Sequence, residues 1–319
     1  MAGDITARVN ASIELLRSFL GDARSHVTVA CDLLDDAHDA VATCALGGKH
    51  LRSMLVHIAA GDVSGERRYA AEVFGACVDL MHAAFLIHDD VIDSDDLRRG
   101  LPTVHSVVRR RTGDHHVGTS VAITAGDLAF NAAYRLLAHA GLPGELTADA
   151  LRILTDAADL TIIGELLDIA HSIYPAPTAE LVKVSNHLKT AVYSFAAPLQ
   201  LGALAAGRPT AMFNEIAEEL GCAYQAADDI AGAIGCHTKT GKEAGGDIKQ
   251  GRATLMTIRL EYGLESEDLR QVVADVIAEG HAHLTRARQL IGQLDVPPTI
   301  SDGLYDVADR IADMLVDHA

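Results

Sequence analysis

Apolar residues recur at helical spacing over most of the chain, and no alternating apolar–polar run persists beyond a few residues. That pattern restricts the chain to helices packed on helices. The spacing predicts helices over 12–20, 70–92, 120–140, 147–173, 178–206, 210–234, 253–262, 266–291 and 300–317. Thr147 and Ser301 stand where N-caps are expected. Breaks are expected at Gly47-Gly48, between Gly61 and Gly65, at Gly100 to Pro102, at Pro143-Gly144, at Pro175 to Pro177, at Gly207 to Pro209 and at Gly241 to Gly246. The connections are short, so the expectation is an all-α fold: one helical bundle spanning residues 1–319 as a single domain. Its core has to be built from Ala, Leu, Val and Ile, because aromatics are 4% of the residues and Trp is absent. Small side chains of that kind let helices approach closely.

The formal charge of −18 repels nucleic-acid phosphate and argues against a nucleic-acid partner. The five cysteines (Cys31, Cys44, Cys77, Cys222 and Cys236) are odd in number and form no C-x-x-C pair. This speaks against a disulfide framework or zinc knuckle and for reduced thiols in a cytoplasmic protein. The N-terminal residues carry an early acid and no apolar core, unlike a secretory signal. No transmembrane segment is expected, since the most apolar stretch, Val117 to Ala133, is interrupted by Asp127.

Two acidic constellations stand out. In the first, an apolar helix from Met81 to Ile87 runs into His88, Asp89 and Asp90, with Asp93 following. Spacings of three and four residues put Asp89, Asp90 and Asp93 on one helical face. Carboxylates so crowded repel one another. A hard cation with oxygen ligands relieves that repulsion, and Mg²⁺ commonly shares such ligands with phosphate oxygens. Arg98 and Arg99 follow at once, and guanidinium groups suit diphosphate through paired hydrogen bonds. In the second constellation Asp228 and Asp229 close another apolar helical run. A glycine-rich loop with Lys239, Lys242 and Lys249 comes after it, of the kind that closes over phosphates. Two such clusters on facing helices could bracket one diphosphate.

At this point the sequence resembles the trans-isoprenyl diphosphate synthase, or polyprenyl synthetase, family. The resemblance covers most of the chain, and the motifs occur in family order. Gly47-Gly48-Lys49-His50-Leu51-Arg52 looks like its GGKxxR element, and His82 stands seven residues before Asp89. Asp89 to Asp93 with Arg98-Arg99-Gly100 resembles the first aspartate-rich motif. Gly126-Asp127 resembles the family's helix-borne GD and Lys189-Thr190 its KT pair. Gln225 to Asp229 resembles the second aspartate-rich motif, with Lys242 and Asp247 in its tail.

The resemblance implies an isoprenoid synthase bundle with a central active-site cavity. It also implies about three Mg²⁺ ions held by Asp89, Asp90, Asp93, Asp228 and Asp229. Arg98, Lys189 and Lys242 are then expected to hold the allylic diphosphate, with Lys189, Thr190 and Gln225 facing the cation formed on ionisation. Isopentenyl diphosphate is expected at Lys49, Arg52, His82 and Arg99. Ala84 and Phe85, five and four residues before Asp89, are expected to set product length between C15 and C20, with geranylgeranyl diphosphate favoured. A homodimer is implied as well. Departures from the pattern are Gly232 where many members carry a third Asp, Glu165 for Gln, His50 for Arg and Ser53 for Pro. A terpene cyclase on the same fold and a silent regulatory subunit are the competing readings. Lys49, Arg52, His82 and Arg99 speak against the cyclase, which needs no such pocket, and the five acids against the silent subunit. Among the remaining candidates, His115-His116 is expected to be a solvated pair in a turn. Asp127 and Asp168 are expected to be buried hydrogen-bond partners rather than ligands.

Overall fold

The computed structural model of the chain describes residues 2–25, 29–174, 178–234, 256 and 268–317. Lys239, Lys242, Asp247, Lys249 and Cys236, and all of the helix expected over 253–262 except Met256, lie outside the described residues.

The all-α expectation holds. The helices are α1 (Ala2–Ser25), α2 (Asp32–Leu46), α3 (Leu51–Ala60), α4 (Gly65–Ile92), α5 (Val104–Thr112), α6 (His115–His139), α7 (Gly144–Ile173) and α8 (Ala179–Asn186). A π-helical segment, His187–Ala196, leads into α9 (Ala197–Ala206). A 3₁₀ turn, Thr210–Phe213, precedes α10 (Asn214–Ile234). The described residues end with α11 (Asp268–Gln293) and α12 (Pro298–Asp317). The only strands among the described residues are β1 (Leu97–Arg98) and β2 (Leu101–Pro102), which form a minimal antiparallel hairpin.

Three helices lie where no periodic segment was expected: α2, α3 and α5. Each is short, and α5 carries three consecutive arginines, so periodicity alone marks none of them. Two expected caps are not caps. The Thr147 hydroxyl donates to the Pro143 carbonyl and the Ser301 hydroxyl to that of Pro298, so both residues lie inside the first turns of their helices. The stretch expected as one helix from 178 to 206 passes through ten π-helical residues.

The chain forms two compact units, Met1–Leu151 with Leu201–Gly207 and Arg152–Gln200 with Arg208–Ala319. In the first, α4 is the axis, packed by α1, α2, α3 and α6. Its inward positions include Ala70, Ala71, Ala76, Ala83 and Ala84, all fully buried, and these small side chains let the neighbouring helices come close. By length and composition α4, rather than the 117–133 stretch, would suffice to cross a membrane, and most of its apolar length is buried in the fold. In the second unit α10 is the axis, packed by α11, α12 and the π-helical segment.

The first unit also buries a polar cluster. Arg8 reaches from α1 to the Gly61 carbonyl at the end of α3 and to Asp62 at 2.7 Å. Ser12 hydrogen-bonds the Nε2 of His57 at 2.9 Å. Burial, then Arg8 and Arg68, push the His57 imidazole down to about 4. The folded state therefore resists a proton that the unfolded chain accepts near its ordinary value of 6.5. The His57 contribution is complete above that value and is lost as pH falls towards 4, on the order of 3 kcal/mol in all. Urea midpoints measured from neutral pH down to about 4 should fall, and should fall less steeply in His57→Gln. Equal slopes in the two proteins would remove His57 as the source.

Candidate active site

In the first unit the end of α4 delivers the acids. Its apolar face is buried through Ile87, and the next turn brings His88, Asp89 and Asp90. Asp90 turns inward and is buried, whereas Asp89 is half-buried. Asp93 terminates the helix with its N–H on the Asp89 carbonyl at 2.8 Å. Its backbone remains close to helical, so the three-residue and four-residue spacings survive to the last acid.

The chain then reverses. Arg99 and Gly100 have φ values of 54° and 77°, the two positive angles of a tight primed hairpin turn. Arg98 ends the strand and Arg99 enters the turn, so the positive φ of Arg99 separates the two neighbouring arginines. Arg98 faces the helix end, donating from Nη2 to Asp89 at 2.8 Å and from Nε to Asp90. Arg99 faces the other way, with its guanidinium over Gly48. A Cβ on Gly48 would lie 2.5 Å from that guanidinium, and the φ of 95° disfavours any other residue. The turn is stapled from below. The Thr103 hydroxyl donates to the Asp95 carbonyl at 2.8 Å, and Arg109 grips both carboxylate oxygens of Asp96 at 2.7 Å. Burial pushes the Asp90 carboxyl up to about 6, with Arg98 opposing that rise.

The residues expected to hold isopentenyl diphosphate lie in the same unit. Lys49 is exposed on the turn before α3, and Arg52 is buried on its first turn. His82 is held well below its ordinary value by burial, and then by the positive charges of Arg52, Arg99, Arg98 and His50. Positive charges that disfavour a further proton on His82 mark a region suited to an anion. His50 hydrogen-bonds Asp79 at 2.7 Å. Asp79 had escaped sequence reasoning, although an acid inside the apolar run of α4 was a visible anomaly.

Ala84 is fully buried, and Phe85 makes an edge-to-face contact with Phe130 at 5.0 Å. His88 donates to the Ile123 carbonyl at 3.0 Å and packs on Gly126. Asp127, expected to be buried, is exposed, and it lies 3.7 Å from His88. Its place on α6 turns its carboxylate away from the packed face that Gly126 occupies. His115 and His116 are exposed as expected but open α6 rather than lying in a turn, because the Asp114 carboxylate accepts the His116 and Val117 N–H groups as an N-cap.

In the second unit Lys189 and Thr190 lie in the π-helical segment. Such wide turns shift the register of side chains and recur at functional sites. Gly164 lets α7 meet this segment, since a Cβ there would fall 2.3 Å from the Lys189 nitrogen. One and four residues on, Glu165 and Asp168 each bind the Lys189 ammonium at 2.8 Å. Asp168 is thus half-buried rather than buried, and acts as a partner of lysine. On α10, Gln225 donates to Asp229 at 2.7 Å, and its own carbonyl oxygen is buried without a hydrogen-bond partner. Asp229 is buried and Asp228 exposed. Gly232, lacking any side-chain oxygen, sits one turn beyond Asp228.

Among the described residues no group of three or more His, Cys, Asp or Glu side chains is arranged to hold a metal. Arg98 bonds one oxygen each of Asp89 and Asp90, neutralising part of their charge. One or two carboxylates that share a hard cation with substrate phosphates suit Mg²⁺, which dehydrates reluctantly and seldom sits in an all-protein cage. The donor set therefore fits that ion.

Comparison with known proteins agrees with this chemistry. The family model for polyprenyl synthetase matches residues 35–294. The chain is 32% identical over 271 residues to geranylgeranyl diphosphate synthase of Sulfolobus acidocaldarius, covering 83% of this chain and 77% of that protein. It is 32% identical over 277 residues to farnesyl diphosphate synthase of Escherichia coli, covering 83% of this chain and 85% of that protein. The crystal structure of geranylgeranyl pyrophosphate synthase from Corynebacterium glutamicum, complexed with isoprenyl diphosphate and magnesium, superposes with a TM-score of 0.87 at 27% identity, covering 96% of this chain and 98% of that one. With the motif order, the acids on α4 and α10 and the arginines near His82 already in place, the chain belongs to the polyprenyl synthetase family, whose matched curated members are prenyl diphosphate synthases and hence prenyltransferases.

Proposed function

We propose that this chain is a short-chain trans-prenyltransferase that condenses isopentenyl diphosphate with an allylic diphosphate to a C15 to C20 product, with geranylgeranyl diphosphate favoured. The observation that carries this reading is the hairpin that sends Arg98 to the Asp89–Asp90 pair and Arg99 to Gly48, in the turn that carries Lys49. A cyclase has no use for a second anion site of that kind. A single polyprenyl synthetase domain over 1–319, a cytoplasmic homodimer and the absence of a nucleic-acid partner complete the reading.

Asp89, Asp90, Asp93, Asp228 and Asp229 are the assigned ligands of about three Mg²⁺ ions. When bound, the metal neutralises charge on the departing diphosphate. The chain's own residues do the rest. Arg98, Lys189 and Lys242 hold the allylic diphosphate, and their fixed positive charge favours cleavage of the C–O bond to an allylic cation and pyrophosphate. Thr190 and Gln225 face the cation, and the unpartnered Gln225 carbonyl supplies a negative dipole end. Lys49, Arg52, His82 and Arg99 hold isopentenyl diphosphate so that its double bond attacks the cation. A carbon–carbon bond forms, a proton passes to pyrophosphate, and the chain grows by five carbons.

Incubation with Mg²⁺, isopentenyl diphosphate and either dimethylallyl or farnesyl diphosphate tests the proposal. Elongated diphosphate is the expected product. A product formed without isopentenyl diphosphate would point to a cyclase, and no turnover to a silent subunit. Product length tests a narrower point. Phe85 pairs edge-to-face with Phe130, and removing its ring opens space beneath Asp89. Phe85→Ala is expected to shift radiolabelled products upward by at least one C5 unit. An unchanged distribution would remove Phe85 as the floor.

A further inference from the structure

Asp79 is a carboxylate in the buried run of α4, only 5% exposed. A buried charge is tolerated when it is paired, and the pairing here comes from another element. His50, in the turn before α3, approaches it with Nδ1 2.7 Å from the carboxylate. Both side chains are nearly enclosed, at 10% and 6% exposure. His50 also holds a backbone angle that L-residues avoid, with φ of 48°. The ring's anchorage to Asp79 helps to hold it there. The Met54 N–H bonds the His50 carbonyl at 2.9 Å, so the same residue also starts α3. On one side of His50 lie Gly47, Gly48 and Lys49, and two residues beyond it lies Arg52.

We propose that His50 is a positioning residue for the isopentenyl diphosphate site, its bond to buried Asp79 holding both the turn that carries Lys49 and the helix start that carries Arg52, and making binding of that substrate pH dependent. The inference rests on the proposed assignment of Lys49, Arg52, His82 and Arg99 to isopentenyl diphosphate.

The charged and titratable groups around the ring are few. Asp79 and His82 lie beside it on α4 and Arg99 on the hairpin, the Leu46 carbonyl accepts from the ring, and Arg52 of α3 acts on Asp79 and His82. Burial and the neighbouring positive charges hold His82 well below its ordinary value. The bond to Asp79 raises the pKa of His50, although burial works against it. A raised histidine keeps its contact in full below its ordinary value and loses it as pH rises through the folded value. Deprotonation then has two effects: one cation leaves the anion site, and an unneutralised carboxylate is left behind it. Both weaken diphosphate binding in the same direction.

The test is calorimetric titration of the full chain with isopentenyl diphosphate, without metal, from about pH 6 to 9. Substrate ionisation affects every variant alike, so His50→Arg, which keeps its charge, serves as the reference. Wild-type affinity should fall about tenfold more than that of His50→Arg across this range, the scale expected for losing one charge-assisted contact. Ring resonances of histidine-labelled wild type provide a check that needs no variant: one imidazole should titrate with the same midpoint as the loss of affinity. Parallel pH profiles in the two proteins, or an affinity loss matched by no imidazole, would overturn the proposal. Absence of isopentenyl diphosphate binding at every pH would overturn it too, and would also sink the assignment of the site, which parallel profiles would leave standing.

Discussion

Asp89→Ala is expected to reduce turnover by roughly a thousandfold or more while leaving the fold intact. Asp89 stands at the end of the apolar face of α4 and accepts from Arg98 at 2.8 Å. Its removal takes away a proposed metal oxygen and leaves Arg98 attached to Asp90 alone. Both losses fall on stabilisation of the leaving diphosphate, an interaction that strengthens in the transition state, so the effect should appear in kcat. Stability should barely change. The side chain is half-buried, and the helix-ending bond from the Asp93 N–H uses the backbone carbonyl of Asp89, which Ala also provides. Steady-state kinetics with a thermal melt separates the two effects. Near-wild-type turnover would take Asp89 out of the metal-holding set.

The second large effect comes from a methyl group. In Gly164→Ala the new Cβ would sit 2.3 Å from the Lys189 nitrogen and 2.8 Å from the Leu188 carbonyl carbon. These are backbone atoms and cannot swing aside, so α7 and the π-helical segment must separate. Overpacking of this kind costs about 1–3 kcal/mol. It also displaces Lys189 from Glu165 and Asp168, so turnover should fall as well, by about tenfold or more. Gly144→Ala is the control, since Gly144 opens the same helix with nothing within 4 Å of its added Cβ. Urea midpoints and turnover of the two variants should differ in both measures. If Gly164→Ala matched Gly144→Ala, the tight approach of α7 to Lys189 would have no consequence.

Arg98 and Lys189 differ in how far their surroundings could be read in advance. The closeness of Arg98 to the acids in sequence placed it with the same diphosphate, and the short hairpin that returns it to the helix end then brought it onto Asp89 and Asp90 themselves. The partners of Lys189 come from α7, twenty-one and twenty-four residues earlier, and sequence alone carried no signal for that pairing. Glu165 was visible only as an unusual acid and Asp168 only as an expected buried group. The π-helical segment was equally hidden. Its ten residues keep an apolar helical pattern, and the wide turn reflects packing between α7, the segment and α10 rather than local propensity.

What the sequence determined by itself is local: the all-α class, the breaks at glycine and proline among the described residues, the acids that follow apolar helical runs and the order of the motifs. Each depends on residues within a few turns of one another. The tertiary structure decided which charges meet. It sent Arg98 to the aspartates and Arg99 to Gly48 through a two-residue turn, and it paired His50 with Asp79 across twenty-nine residues. Buried charges have to find counter-charges, and in a helical protein those lie on neighbouring helices whose separation along the chain carries no periodic signature.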